Sequence, residues 1–182
     1  MSSTLKTAII NGIIEREGGY SNRRDDSGGE TMYGITIAVA RDYGYTGPMA
    51  ELPIDLARQI LTDRYWHALQ LDHIEALSPA ITEELVDTGV NCGTGVAAKF
   101  LQRSLNALNQ LGRLYPDIPT DGAIGPLTLA ALRAYLQHRG GTGATVMHRM
   151  LNSLQGARYV RLAEKREKDE AFVYGWFRER VS

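Results

Sequence analysis

The first apolar positions of the chain recur at helical spacing. One stripe would be formed by Leu5, Ala8, Ile9, Gly12, Ile13 and Arg16. Steps of three and four residues predict an amphipathic helix, which Ser3 or Thr4 can cap at its start. Gly18-Gly19 predicts its end, because glycine readily adopts the backbone conformation that follows a helix. Glu17 would then lie at the helix end, where the negative pole of the helix dipole favours a neutral carboxylic acid over a carboxylate.

The next segment, residues 20–34, is dense in polar residues and glycines. This composition predicts a loop or a short irregular hairpin. Polar loops beside a helix end are places where functional groups concentrate. We therefore expect the chemistry of the protein to lie close to the end of the first helix.

Helical patterns resume after this segment and continue to the C-terminal end. We predict helices at about 36–43 with Thr36 as the cap, from Pro53 through Tyr65, from Pro79 through Val86, and over 97–108, 127–137, 145–168 and 170–180. Breaks are predicted at 93–95, at 112–126 and at a flexible glycine-rich spacer over 140–143. The predicted fold class is mainly α.

Composition places the chain among ordinary globular proteins. It has 182 residues, of which 43% are hydrophobic and 23% charged, enough for one core or two small domains. The net charge of −1 gives no general reason to expect nucleic acid or membrane as a partner. Residues 139–182 nevertheless hold 9 bases against 5 acids. This basic end could meet an anionic polymer such as cell wall, although a solvated helix face is the simpler explanation.

Cysteine and histidine usage argues against several kinds of site. The single Cys92 permits no intramolecular disulfide, and with no histidine nearby in sequence it is better explained as a small buried residue than as a catalytic thiol. The four histidines do not pair at metal-ligand spacing, so no metal or cofactor is predicted. We find no signal peptide and no run of about 20 apolar residues, which predicts synthesis in the cytoplasm and no membrane insertion.

Glu17, Asp26 and Thr31 form the candidate catalytic set. Glycoside hydrolysis commonly uses a protonated carboxylic acid at the leaving oxygen and a second carboxylate that stabilises charge or activates water. Glu17 fits the acid, Asp26 the second carboxylate, and Thr31 a hydroxyl that orients Asp26 or holds a water. Asp25 competes with Asp26 for its role. On spacing alone, surface salt bridges to the arginines at positions 23 and 24 would explain these acids better.

Further residues are candidates for substrate binding. Sugar rings could stack on the exposed faces of Tyr20, Tyr33, Tyr65 and Trp66, each of which could equally be a core aromatic. Gly29 would let a sugar approach the backbone closely. Asn91 could contact substrate, cap a helix or hold a loop.

The sequence of residues 15–36 closely resembles the signature of glycoside hydrolase family 108, the phage and prophage N-acetylmuramidases. The family pattern is present as Glu-Gly-Gly-Tyr at 17–20, Asp-x-Gly-Gly-x-Thr at 26–31 and Tyr-Gly-Ile-Thr at 33–36. The resemblance implies that Glu17 is the catalytic acid. The order of Glu, Asp and Thr is also similar to phage-type lysozymes, except that Thr31 follows Asp26 by five residues rather than six.

The second half of the chain is similar to the predicted peptidoglycan-binding domain that accompanies this family. The likeness is carried first by the opening of the domain, Asp87–Gly93 with Ala97–Leu105, and by its ending, Gly175-Trp176-Phe177 before Arg180, and second by Asp121–Thr128. The second occurs in several types of wall-binding domain, so it does not name the ligand. Together the resemblances imply a muramidase catalytic region over 1–91 and a helical peptidoglycan-binding region over 92–182, packed closely on the first.

The resemblance also implies a lysozyme-like helical fold with a short hairpin after the first helix, and a function. The function is that of a phage endolysin, a monomer that hydrolyses the β-1,4 bond between N-acetylmuramic acid and N-acetylglucosamine in peptidoglycan. It would leave the host cytoplasm through a holin and act on the wall in the periplasm, with no nucleic acid as partner. A lytic transglycosylase and a non-catalytic wall-binding or secretion-linked protein remain as alternatives.

Overall fold

The computed structural model describes residues 4–22 and 29–181. The chain divides into two units, Met1–His67 and Ala68–Ser182. Within the described residues there are eight α-helices and one two-stranded antiparallel sheet. The predicted class is confirmed: the fold is mainly α and lysozyme-like, with a short hairpin after the first helix. No helix in the described part of the chain is long and apolar enough to span a bilayer.

The first unit begins with helix α1, Thr4–Glu17. Its buried side chains are Ile10, Ile13 and Ile14, whereas Ala8 is exposed. The buried side of α1 is therefore rotated around the helix axis, by part of a turn, from the predicted stripe. The predicted end is confirmed, because Gly18 has a φ of 72° and its N–H donates to the Ile14 carbonyl at 3.1 Å.

A small hairpin follows α1. Strand β1, Thr31–Met32, pairs antiparallel with β2, Ile35–Thr36, through a two-residue turn. Both turn residues, Tyr33 and Gly34, have positive φ, at 55° and 72°. Positive φ at both central residues is the geometry that matches the natural twist of a tight hairpin. Ser21 adds a further bridge, exchanging two backbone hydrogen bonds of 2.9 Å with Thr31.

Two more helices complete the first unit. Helix α2, Ile37–Asp42, is capped as predicted, with the Thr36 hydroxyl accepting from the Val39 N–H. A single 3₁₀ turn, Met49–Glu51, precedes helix α3, Ile54–Leu61, which starts directly after Pro53. The chain then widens into a π-helical turn over Thr62–His67.

The second unit is built on three long helices that pack against one another. Its elements are α4, Leu71–Glu75; α5, Pro79–Cys92; α6, Thr94–Leu108; α7, Pro126–Lys165; a 3₁₀ turn, Glu167–Asp169; and α8, Glu170–Arg180. Helices α5, α6 and α7 form the core contacts of the unit. The short helix α4 was not predicted. The predicted break at 93–95 is reduced to Gly93, since α6 already begins at Thr94.

The expected flexible spacer at 140–143 is instead a packed kink inside α7. Only Gly140 leaves helical geometry, with φ 60° and ψ −153°. Gly143 is buried, and a Cβ there would lie 2.5 Å from the Arg139 Cβ. The Tyr135 hydroxyl donates to the Gly143 carbonyl at 2.9 Å. The glycines therefore permit a close turn of the chain against itself.

The Asp121–Thr128 stretch is held by one buried amide. The Gln102 side-chain nitrogen donates to the Asp121 carboxylate, the Ala123 carbonyl and the Thr128 hydroxyl at 2.8–3.3 Å. Its oxygen accepts from the Gly122 N–H at 3.0 Å. The Ala123 N–H and Gln102 together lower the pKa of Asp121. Asp121–Thr128 is thus a turn that hydrogen bonds to Gln102 hold in place at the start of α7.

Candidate functional site

Glu17 occupies the last position of α1 and its side chain is exposed. It lies directly against the hairpin turn. A Cβ placed on Gly34 would come within 2.8 Å of the Glu17 Cγ and within 3.1 Å of its Oε2. Real Cβ atoms do not approach so closely, so the glycine is what gives the carboxyl its position. The hairpin and the end of α1 therefore form one surface.

Thr31 and Tyr33 belong to this same hairpin, and both are partly buried. The backbone of Thr31 exchanges two hydrogen bonds with Ser21, and Thr31 lies opposite Thr36 in the hairpin. Tyr33 holds a left-handed backbone at the turn, with φ 55°. Such a conformation is uncommon for a residue other than glycine and concentrates at functional sites. The structure thus joins three of the predicted site residues, Glu17, Thr31 and Tyr33, on one small scaffold.

Tyr20 and Gly29 flank the hairpin. Tyr20 is 45% exposed, so its ring is accessible to a ligand. Gly29 is also exposed, with φ 71°, and the nearest atom to a Cβ there would be the Ile37 Cγ2 at 3.7 Å. Asp26 and its competitor Asp25 lie outside the described residues.

Tyr65 joins the site through its charge environment. Burial raises the pKa of Tyr65, the Arg64 charge opposes this, and the Glu17 carboxylate raises it further. Its hydroxyl therefore feels the Glu17 charge. Tyr65 lies in the π-helical turn, an element often found at functional sites. A π-helical turn has no clear signature in the sequence. Sequence patterns therefore identify Tyr65 only as one of four aromatic residues that could stack on a sugar.

Trp66, the neighbouring aromatic, has a different role. Its side chain is fully buried, with 0% exposure, and the Lys6 ammonium lies 5.5 Å from its ring centroid. A ring in this position cannot stack on a sugar. Of the two explanations open for Trp66, the core aromatic is correct.

Asn91 lies in the second unit, exposed on α5. Its side-chain nitrogen donates to the Asp87 carbonyl one helical turn earlier, at 2.7 Å. This bond lies within its own helix, so Asn91 neither caps the helix nor ties down a loop through that nitrogen. Asp87 itself accepts from Arg180 at 2.7 Å and from Gln155 at 3.0 Å, which joins α5 to α7 and α8.

Glu84 is an acid with a raised pKa, yet it is a poor candidate for catalysis. Burial raises its pKa from 4.5 to about 7, and a hydrogen bond of 3.2 Å from Asn152 opposes that rise. The side chain is only 6% exposed and faces His148 at 3.6 Å. A polymeric substrate cannot reach it. We interpret Glu84 as a structural acid of the second unit.

A pH dependence of stability should follow from Glu84. Its pKa is higher in the folded state than in the unfolded state, so its contribution is complete below about pH 4.5 and is lost as the pH rises through 7. Relative to the Glu84→Gln variant, we expect the free energy of unfolding to fall by about 3 kcal/mol from pH 4.5 to 8. Urea denaturation of both proteins across this range measures the difference. Parallel pH profiles would contradict the assignment.

Comparison with known proteins agrees with this arrangement. Residues 10–93 match the family model of Glycosyl hydrolase 108, and residues 96–181 match that of the Predicted Peptidoglycan domain. No curated protein sequence matches the chain. Nine chains of solved structures do, among them SagA of Brucella abortus, with a TM-score of 0.64 and 23% identity over 94% of this chain and 86% of that one.

The two matches occur in the expected order and together span most of the chain. The hydrolase match contains Glu17, the hairpin, and helices α4 and α5, so it extends beyond the division of the structure at residue 67. The likeness to SagA supports the fold. The chain therefore contains a glycosyl hydrolase 108 domain over residues 10–93, followed by a predicted peptidoglycan domain over residues 96–181, and the protein is a glycosidase.

Proposed function

We propose that this protein is an endolysin-type N-acetylmuramidase that hydrolyses the β-1,4 bond between N-acetylmuramic acid and N-acetylglucosamine in peptidoglycan. The observation that carries the proposal is the position of Glu17, whose exposed carboxyl lies against Gly34 at the hairpin turn. Hydrolysis of a glycosidic bond requires an acid that a polymer can reach and that a rigid scaffold holds in place. Glu17 is exposed, and its side chain lies against the hairpin turn.

Glu17 would act as the general acid that protonates the leaving oxygen as the glycosidic bond breaks. Asp26 would stabilise the positive charge that develops on the sugar ring or position the attacking water. Thr31, on β1, would support Asp26 or the water through its hydroxyl. Tyr65 would add a phenol beside Glu17.

Substrate contacts would come from groups around the same hairpin and, separately, from Asn91 in the second unit. The exposed ring of Tyr20 and the ring of Tyr33 would contact sugar faces, as aromatic side chains do in glycan clefts. Gly29 would permit close approach to the backbone. Asn91 would offer its side-chain oxygen, because its nitrogen already donates within α5.

The proposed division of labour follows the two family matches. Residues 1–91 would contain the catalytic region, and residues 92–182 the peptidoglycan-binding region. We propose that the protein acts as a monomer of bacteriophage origin, made in the host cytoplasm. It would be released through a holin to the wall in the periplasm.

The products of digestion test the reaction type. Purified peptidoglycan incubated with the protein is expected to yield fragments that end in reducible N-acetylmuramic acid, because hydrolysis adds a water across the bond. Mass spectrometry before and after borohydride reduction measures this. Anhydro-muramic ends, lighter by one water and resistant to reduction, would instead identify a lytic transglycosylase. Retention on peptidoglycan with no soluble fragments would identify a wall-binding protein without catalysis.

A further inference from the structure

A groove between α6 and α7 carries a concentration of positive charge. Its volume is about 250 Å³, and four of its eight lining residues are cationic: Arg103, Arg158, Arg161 and Lys165. None of the lining residues is acidic. Three other depressions of the second unit have at most one cationic side chain each. Within residues 4–22 and 29–181, none of the four forms an ion pair with a carboxylate.

The other four residues that line this groove are apolar. They are Phe100, a nearly buried ring on α6, and Leu154, Ala157 and Leu162 on α7. A ligand that fits must combine negative charge with small apolar groups. A bare phosphate would satisfy only the charges, whereas a short acidic peptide with methyl and alkyl side chains would satisfy both parts.

Arg158, one of these four cations, supplies a second indication of a ligand. Its Nε is buried and has no hydrogen-bond partner among the described residues, and the same guanidinium lies within hydrogen-bond reach of the Cys92 thiol. A buried donor left without an acceptor costs about 1–3 kcal/mol, so such groups generally have a partner in the functional state. An anion in the groove would provide an acceptor, and guanidinium groups bind carboxylates with directed, charge-assisted bonds.

We propose that this groove binds the carboxylates of the peptide stems of peptidoglycan. These stems carry free carboxylates beside alanine methyl groups, which matches a groove lined by four cationic and four apolar residues. The inference rests on the proposed wall-directed function, and it assigns the peptide, rather than the glycan, as the ligand of α6 and α7. Arg103 and Arg161 provide exposed charges, Lys165 a further cation at the end of α7, and Arg158 the partly buried donor.

The test uses the full-length protein with Glu17→Gln, so that binding is measured without digestion. The probe is purified peptidoglycan sacculi stripped of phosphate polymers, and the readout is cosedimentation at fixed salt. The variant R103Q/R161Q/K165Q spares the partly buried Arg158. The matched control, R113Q/R133Q/R149Q, removes three exposed charges from the same unit outside the groove.

We expect the groove variant to bind at least about 10-fold more weakly and the control to change less than about 3-fold, because specific charge pairs contribute more than general attraction. Amidation of the sacculus carboxyls should remove the difference between the two variants. Four results would each overturn the proposal. They are an equal loss of binding in both variants, no loss in either variant, no binding by the parent protein, and a difference seen only on sacculi that retain phosphate polymers. Release of fragments by the protein with Glu17 intact tests the proposed hydrolase separately, so the two failures are distinguishable.

Discussion

Glu17→Gln is expected to reduce the release of soluble fragments from purified peptidoglycan by about 10²–10⁴-fold, the range that a positioned general acid contributes. Glutamine keeps the size and shape of glutamate but has no acidic proton to give to the leaving oxygen. The side chain is exposed at the end of α1, so the substitution should not disturb the core. Fragment release is measured from the turbidity of sacculi and by chromatography of the supernatant.

Glu15→Gln is the matched control for this experiment. Glu15 is also an exposed acid near the end of α1, two residues earlier, so it reports the effect of removing a negative charge there. It should retain the parent rate, and both variants should keep the parent melting temperature and binding to sacculi. If Glu17→Gln digested sacculi at the parent rate, Glu17 would not be the acid. Asp26→Asn and Asp25→Asn then decide which neighbour is the second carboxylate.

Local signals were sufficient to predict the surroundings of Glu17. Helix ends are encoded by short-range chemistry, and the two glycines after Glu17 end α1 where expected. The cap at Thr36 and the hairpin before it are equally local. The buried side of α1 was not predictable in this way. The isoleucines of α1 form a wide apolar band. Packing of α1 against α3 in the first unit determines which part of that band is buried.

The second unit shows where sequence patterns fail for another reason. Glycines at 140–143 indicated a flexible spacer, but Gly143 allows Tyr135 and Arg139 to pack against the backbone inside α7. The packing at Gly143 depends on the kink at Gly140, which the glycine pattern does not distinguish from a flexible spacer. Glu84 carries no signal in its sequence neighbourhood, and Asn152 and His148 of α7 contribute to its environment. Asn152 lies 68 positions away in sequence, so no local window contains that information.

The glycine of the Tyr-Gly-Ile-Thr motif gains a physical explanation, and with it a prediction of large effect. Gly34→Ala is expected to reduce peptidoglycan digestion by about 100-fold, the scale associated with a misplacement of about 1 Å in a catalytic group. The new Cβ would lie 2.8 Å from the Glu17 Cγ, so the Glu17 side chain has to move. The positive φ of 72° adds strain of about 1–2 kcal/mol.

Gly44→Ala separates displacement of Glu17 from backbone strain. Gly44 lies in the same unit with φ 82°, and no atom lies within 4 Å of a Cβ placed there. Both variants should lose similar stability in urea denaturation, but only Gly34→Ala should lose activity. Because the displacement affects the acid rather than sugar binding, kcat should fall while binding to sacculi in the Glu17→Gln background stays unchanged. Equal activities of the two alanine variants would mean that the hairpin does not position Glu17, and the acid would then need another source of its orientation.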